Sequence, residues 1–388
     1  MDGKEIGNIS VYENEDGKAV WEFKGLVTSD TPLDTEKQDY AGAINELAKK
    51  LQQGGGGDEP VEDWQPPADW LTVPDPAENE IYVLIEVIDD TLTNFVNFPY
   101  GFMKPENGWG GQGALSIDWG DGNAYSWQEN GWGDLSHTYS SVGQYLIKIT
   151  TEIGENNAFM AFQNYKRDPQ DSRSNVLICK TGSGIVFKYS GYTASARLLF
   201  GKKIAYFKHC GKAVDLPRYF ASQWSGLVKV EFGEPIKIIP ECGFNYCGAL
   251  RILDTSEIVK IGDMGLAFTS GYINSFPKCI EIGNNALWST YCSKINLPNC
   301  EKVGNYALQN NKFRELNLPK CTSFGDYAAA NCGLLSSVNM PVCENIGTQA
   351  FIGDYSLSEI TVPAECNFGT DCFKGCYSLY PRPDGTIN

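Results

Sequence analysis

Ile346-Gly347-Thr348-Gln349-Ala350-Phe351, followed by Leu357 and then Ile360-Thr361-Val362-Pro363, is one copy of a unit that recurs through the C-terminal half of this 388-residue chain. Gly262, Gly283, Gly304, Gly325, Gly347 and Gly369 step by 21, 21, 21, 22 and 22 residues, and Pro277, Pro298, Pro319, Pro341 and Pro363 keep phase with them. Neighbouring copies place Ala286-Leu287, Ile295 and Leu297-Pro298, or Ala307-Leu308, Leu316 and Leu318-Pro319, at the same points. A unit this short cannot enclose a core alone, so it buries its inward residues only by stacking on the next copy.

A period of 21 to 22 with a short apolar strand and an apolar turn is the signature of a leucine-rich-repeat coil. Upstream, Leu216-Pro217, Phe220, Leu227, Val230 and then Ile239-Pro240, Phe244, Cys247, Leu250, Ile252 fit the template with altered lengths, which predicts a solenoid over residues 176–388. The run I-G-x-x-A-F, the Cys and Leu after it and the I-x-L-P ending resemble the BspA-type leucine-rich repeats of bacterial and protist surface proteins and some viral proteins. Gly265 stands where Ala is expected, Asn310 or Asn311 stands near the usual mid-coil Cys, and Cys366, Cys372, Phe373 and Cys376 read as a degenerate capping coil.

Ahead of the repeats, residues 81–155 open with an apolar strand from Ile81 and close with the period-two run Gly143-Gln144-Tyr145-Leu146-Ile147-Lys148-Ile149. At their centre Asp118-Trp119-Gly120-Asp121-Gly122 is a strand end running into a tight turn, and His137-Thr138-Tyr139 follows. These motifs resemble a PKD-type immunoglobulin-like domain, which implies a compact antiparallel sandwich. The stretch 63–74, with Trp64 and Trp70, resembles the lead-in of PKD-like modules in bacteriophage structural proteins.

Residues 54–80 read as a linker: four glycines, then prolines, with eleven acidic residues and no Lys or Arg between 58 and 90. Trp64 and Trp70 are exceptions and are expected to dock on the next domain. Residues 1–53 form an N-terminal attachment or oligomerisation segment. Alternating residues over 9–23 around Asn14-Glu15-Asp16-Gly17 predict a hairpin, and Tyr40, Ile44, Leu47 and Leu51 place one apolar stripe on a helix over 35–53. The stripe packs on another copy, on a partner or back on the hairpin. Asp39-Tyr40-Ala41-Gly42-Ala43-Ile44-Asn45-Glu46-Leu47 resembles segments of phage fibre and other virion proteins.

The net charge is −17, from 31 Lys and Arg against 48 Asp and Glu, the wrong sign for a phosphate-backbone binder. The sequence shows no membrane-spanning run, and its start, MDGKEIGNIS, shows no basic region followed by an apolar one. The thirteen cysteines all fall at or beyond Cys179. Cys279, Cys300, Cys321 and Cys343 repeat at one coil position, with no Cys-x-x-Cys pair and only His137 and His209 to join them, so they read as free structural thiols rather than metal ligands. Free thiols imply folding in a reducing compartment.

No catalytic residue, cofactor site or metal site emerges. Asp118 and Asp121 read as turn caps, with Ca²⁺ as the alternative; His137 reads as a packed, hydrogen-bonded histidine, since nothing in the spacing supplies a nucleophile and an orienting acid, and no phosphate-binding loop, GxSxG or HExxH occurs. The candidate surface-recognition residues are Tyr291, Phe313, Tyr355 and Tyr377, for a glycan or protein, with ordinary coil packing as the alternative.

The sequence therefore predicts a mainly β chain with three parts: a helix-containing N-terminal anchor, an immunoglobulin-like β-sandwich and a C-terminal leucine-rich-repeat solenoid. The two phage-like resemblances and the unpaired thiols point to a non-enzymatic bacteriophage virion protein. It would be a head or tail fibre or appendage subunit, assembled in the host cytoplasm, that contacts other virion proteins through its N-terminus and a host surface protein or glycan through the solenoid. It is expected to be a homo-oligomer that binds no nucleic acid and inserts in no membrane. The alternative is a bacterial cell-surface adhesin of the BspA type; a carbohydrate-active enzyme with these modules as accessories is a third reading.

Overall fold

The structure, a computed structural model, describes residues 4–6, 9–13, 19–23, 64–88, 95–100, 115–127, 133–151, 158–160, 176–187, 204–212 and 216–385. The chain divides into two compact units, Met1–Gly54 and Gly55–Asn388. In the first, β1 (Lys4–Ile6), β2 (Ile9–Glu13) and β3 (Ala19–Phe23) make an antiparallel sheet in that order, with Ile9 opposite Phe23 and Glu13 opposite Ala19. The β2-β3 pair is the hairpin that the alternation predicts. The helix expected over 35–53, and with it Tyr40, Ile44, Leu47 and Leu51, lies outside the described residues.

The second unit opens with β4 (Glu80–Val87), β5 (Phe95–Tyr100), β6 (Leu115–Asp118), β7 (Ala124–Trp127), β8 (Gly133–Thr138) and β9 (Gly143–Thr151). It continues through β10 (Ala158–Met160), β11 (Val176–Thr181), β12 (Ile185–Phe187), β13 (Tyr206–Lys212) and β14 (Lys229–Glu234). One seven-stranded sheet has the order β14-β13-β11-β4-β9-β6-β7. Its β4 runs antiparallel to both β9 and β11, whereas β11, β13 and β14 are parallel. The strands expected to form a separate sandwich are divided between this sheet and a β5-β8 ladder. The sheet carries on from them, unbroken, into the first parallel strands of the solenoid.

β4 is buried on both faces. Ile81, Val83, Ile85 and Val87 enter the main core, while Leu84 joins Val73, Leu177, Ile178 and Tyr206 in a second cluster. Trp64 and Trp70 close that cluster, with Trp64 edge-on to Tyr206 at 6.2 Å. The acidic lead-in is thus laid on the sheet, as its two tryptophans predict. Asp75 fixes it through Lys180 at 3.0 Å and Lys208 at 2.8 Å, and hydrogen bonds from these two ammonium groups hold its carboxyl below the usual range.

Beyond β14 each coil contributes one two-residue strand to a parallel sheet: β15 (Ile238–Ile239), β16 (Lys260–Ile261), β17 (Glu281–Ile282), β18 (Lys302–Val303), β20 (Ser323–Phe324), β22 (Asn345–Ile346) and β24 (Asn367–Phe368). A second face is made by β19 (Glu315–Asn317), β21 (Ser337–Asn339) and β23 (Glu359–Thr361). Between the faces runs a seven-residue arc that starts at the periodic glycine. Its inward residues are the repeated Ala286, Ala307, Ala328 and Ala350 and the residue after each, all fully buried. Phe324, Phe351 and Phe373 stack through the interior at 5.3 and 5.6 Å between ring centroids.

Coils approach closely at the glycines. A Cβ on Gly325 would lie 2.6 Å from the Gly304 carbonyl carbon and one on Gly304 2.7 Å from that of Gly283. The next residue in each coil binds the following coil: Asn284 N–H donates to Asp263 Oδ1 at 2.8 Å, Asn305 N–H to Asn284 Oδ1 at 2.9 Å, and Asp326 N–H to Asn305 Oδ1 at 2.8 Å. Substituting Gly325 by alanine is expected to cost about 1–3 kcal/mol, as overpacking against backbone does. Urea unfolding followed by circular dichroism measures it, and a variant as stable as the parent would contradict the close approach.

Two buried titratable groups sit in this core with opposite demands. Burial lowers the His209 pKa to about 4, and its Nδ1 lies 2.9 Å from the Thr181 hydroxyl. Burial pushes the Asp354 carboxyl well above its usual range; its Oδ1 accepts the Cys332 N–H at 2.7 Å, but Oδ2 is buried without a hydrogen-bond partner. Asn311 fills the same coil position two coils earlier, where its Nδ2 donates to the Leu287 and Leu308 carbonyls at 2.9 and 2.8 Å.

Because the unfolded chain holds a proton on His209 more tightly than the native one, stability is complete above about pH 6.5 and falls by about 3 kcal/mol as the pH drops towards 4. The H209N variant should lose most of that slope in melting curves recorded across this range. For Asp354 the sign is reversed: its stabilisation is present at acid pH and lost as the pH rises. Asp354→Asn is therefore expected to raise the melting temperature at pH 7 and to gain about 1–3 kcal/mol there.

Candidate functional site

The turn between β6 and β7 and the end of β8 bring together Asp118, Trp119, Gly120, Asp121, Gly122, His137 and Tyr139, the residues singled out in the sequence. Gly120 and Gly122 take positive φ of 79° and 90°, and a Cβ on Gly120 would meet the Leu146 carbonyl oxygen at 2.6 Å. Asp118 Oδ1 accepts from the Gly120 N–H at 2.9 Å and Asp121 Oδ1 from the Asn123 N–H at 3.0 Å, so both carboxylates cap backbone. Asp121 Oδ2 also lies 2.7 Å from His137 Nε2. Burial works against the Asp121 charge, but the bonds from His137 and Asn123 outweigh it and hold the carboxyl below its usual range.

The His137 ring stacks on buried Trp119 at 4.9 Å, and Tyr139 donates its hydroxyl to the Trp119 carbonyl at 2.9 Å. Burial raises the Tyr139 pKa above its ordinary value. This is a packed aromatic clamp with its polar atoms engaged. Among the described residues no group of three or more His, Cys, Asp or Glu is arranged to hold a metal ion, and no helix is long and apolar enough to cross a membrane.

All thirteen cysteines are free thiols, twelve of them buried and Cys210 half-buried. Cys279, Cys300, Cys321 and Cys343 donate Sγ–H to the carbonyl two residues on, at 3.3 to 3.4 Å. A second set reaches the preceding coil: Cys247 to the Ala221 carbonyl at 3.1 Å, Cys332 to Leu308 at 3.3 Å and Cys376 to Phe351 at 3.0 Å. Burial raises the pKa to about 11 for Cys279 and about 12 for Cys300. Such thiols stay protonated at neutral pH, and a buried thiol without thiolate character is inert.

The candidate recognition residues separate. Tyr291, Tyr355 and Tyr377 occupy one row, eight positions after the periodic glycine, and are 52%, 58% and 72% exposed. Lys312 sits over the Tyr291 ring at 5.3 Å, and Tyr355 lies across Gly333, where a Cβ would come within 2.5 Å of the ring. Phe313 is fully buried and is no surface residue. It falls one position further along its coil, where Cys292 of the preceding coil also turns inward.

The sequence reading passed over a second aromatic set on the arcs. Tyr246 stacks on Phe268 at 4.5 Å, Phe268 meets Trp288 at 4.8 Å, and Tyr306 stacks on Tyr327 at 4.8 Å with ring planes 5° apart. Their signal was positional: they stand two, five or six residues after the start of the arc, outside the inward pair that defines the repeat. The sheet strands and their flanks carry charged or amide pairs between coils instead, including Lys260–Glu281 at 2.7 Å and Lys278–Glu257 at 2.5 Å. Lys320 reaches Asn299 Oδ1 at 2.6 Å in the same manner.

Residues 217–311 and 267–380 match the family described as BspA type leucine rich repeat region, in six copies. No curated protein matches the chain. Among solved structures it is similar to a leucine rich cell surface protein from Faecalibacterium prausnitzii A2-165, at 14% identity over 58% of this chain and 78% of that one, with a TM-score of 0.26. It is also similar to a leucine-rich repeat protein from Bacteroides ovatus ATCC 8483, at 14% identity over 53% and 69% of the two chains, with a TM-score of 0.21. The chain is mainly β, and its C-terminal solenoid is built of BspA-type leucine-rich repeats.

Proposed function

We propose that this chain is a non-enzymatic attachment protein that presents its solenoid at a bacterial cell surface. The observation that carries the reading is the match of the repeats to the BspA type region across residues 217–380; repeats of this type resemble those of bacterial and protist surface proteins and of some viral proteins. The site geometry agrees with it. The polar groups of the Trp119 clamp are occupied in holding the turn, the thiols are buried, and the large unspent surface is that of the coils.

Buried, protonated thiols are inert once the chain is folded, so an unpaired cysteine set is compatible with display of the folded solenoid. Residues 81–155 fit the role of an immunoglobulin-like spacer, supported by the Trp119, His137 and Tyr139 cluster, with one layer of strands merged into the first sheet of the solenoid. The virion reading rests on two short sequence resemblances, and the comparisons bear on neither a phage origin nor a PKD module.

Antibodies raised against the solenoid and applied to a fractionated source culture should find the protein on intact cells and in the envelope fraction. Recovery in density-banded particles instead would overturn the cell-surface reading and establish the virion one.

A further inference from the structure

We propose that the arcs of four successive coils, residues 283–289, 304–310, 325–331 and 347–353, form a binding face for a neutral polysaccharide. The proposal deepens the attachment reading by naming the surface and the class of ligand, and it rests on that reading for its biological setting only.

Charge is the first observation. The chain carries 31 basic and 48 acidic residues, yet these four arcs hold a single charged side chain, Asp326. Asp326 is already engaged, because its Oδ1 accepts from the Thr348 N–H at 2.7 Å. Most of the other outward positions are amides, hydroxyls and aromatics, among them Asn285, Trp288, Gln309, Asn331 and Gln349, with Ile352 as an aliphatic exception. The charged side chains of the same coils gather on the sheet strands and their flanks, where Lys260 pairs with Glu281 and Lys278 with Glu257.

Backbone conformation is the second. Each arc holds two residues in the left-handed region, two and six positions after the periodic glycine. Asn285 and Asn310 occupy such positions at φ 55° and 59°, and Gly353 at 79°, as the local sterics favour. Tyr306 and Tyr327 take the same conformation at 58° and 54°, although a bulky side chain there is an outlier. Neither ring is fully buried, and Tyr306 is 37% exposed, so burial in the core does not account for the choice. Ring stacking between the two offsets part of the cost. The left-handed conformation itself belongs to the coil, since Tyr219, Cys242, Met264 and Asp371 hold it too; Tyr306 and Tyr327 are where it falls on two adjacent, stacked rings at the surface.

The ligand class follows from these groups. A polyanion is disfavoured by the net charge of −17, and a protein partner with an ordinary charged rim finds no complementary charges on the arcs. A neutral polyol is recognised by amide and hydroxyl hydrogen bonds together with aromatic rings, which are the groups present. Successive coils of a parallel ladder repeat at ~4.8 Å, so a linear polymer lying along the solenoid axis would meet a further row of outward groups at each coil.

The test is affinity electrophoresis of the full chain in gels containing soluble mannan, xylan, β-glucan or starch, with heparin and hyaluronate as anionic counterparts. At least one neutral polysaccharide should retard the protein. The Tyr306→Asn, Tyr327→Asn double variant should weaken that retardation by about tenfold or more, the loss expected for an interface hot spot. Asn is the residue this row already uses, so the melting temperature of the variant should equal or exceed that of the parent; a Lys260→Ala variant on the sheet should bind as the parent does. Retardation by the anionic polymers alone, by no polymer, or unchanged in the folded double variant would overturn the proposal. Capture of a surface protein whose binding is lost in the double variant, with no polysaccharide bound, would assign the face to a protein partner and overturn it as well. Surface location is measured separately, so none of these outcomes decides the attachment reading.

Discussion

Each coil is held by amides that its own arc leaves unpaired. Met264, Leu266 and Phe268 donate to the carbonyls of Asn284, Ala286 and Trp288, and Asn285, Leu287 and Ser289 repeat the pattern on the next coil. The amides between them close back on their own arc, as Ala286 N–H does on the Gly283 carbonyl. Every second backbone group of an arc is therefore satisfied only if another coil lies against it, and an unpaired one would cost as much as a lost hydrogen bond. The glycine requirement follows, because this ladder draws the arcs so near each other that a Cβ at Gly304 or Gly325 would strike backbone.

A ladder of this kind needs a first rung, and an open parallel edge is a template for unwanted pairing. Here β4 supplies the cover by lying antiparallel against β11, with β9, β6 and β7 extending the sheet outward. The residues that look like an independent module are thus also the support of the solenoid. The lead-in that follows the glycine run adds to this by packing Trp64 and Trp70 against the cluster of Val73, Leu84, Leu177, Ile178 and Tyr206. Its acidic character is matched by Lys180 and Lys208, which explains why a segment with no cation of its own lies down on the sheet.

How much of this was legible in the chain depended on whether a residue's role repeats. The inward Ala and the residue after it, the Cys row and the periodic Gly and Pro each recur at 21 or 22 residues, and all of them proved to be coil positions. The Asp118 and Asp121 caps were legible because a Gly-Asp-Gly turn has few solutions. Phe313 misled because a single sequence gives no phase near the end of an arc, where one step along the coil exchanges surface for core. The ladder through Asp263, Asn284, Asn305 and Asp326 went unread although it sits beside the periodic glycine, because Asp and Asn look unlike each other until the shared acceptor oxygen is recognised.

The same asymmetry bears on where function resides. The outward side chains of the sheet faces and their flanks are drawn into pairs between coils, such as Lys260 with Glu281 and Asn339 with Asn317 at 2.8 Å, so changing one disturbs its neighbours. On the arcs the backbone ladder supplies most of the stacking, helped by the Asp and Asn row next to the glycine and by ring contacts such as Tyr306 on Tyr327, and the other outward side chains are freer of structural duty. A solenoid built this way can alter its recognition surface without altering its fold, because the two tasks fall on different atoms. The proposed binding face would draw on that freedom through the aromatic and amide groups of the arcs, and the left-handed tyrosines are where a bulky ring runs against the preference of the backbone.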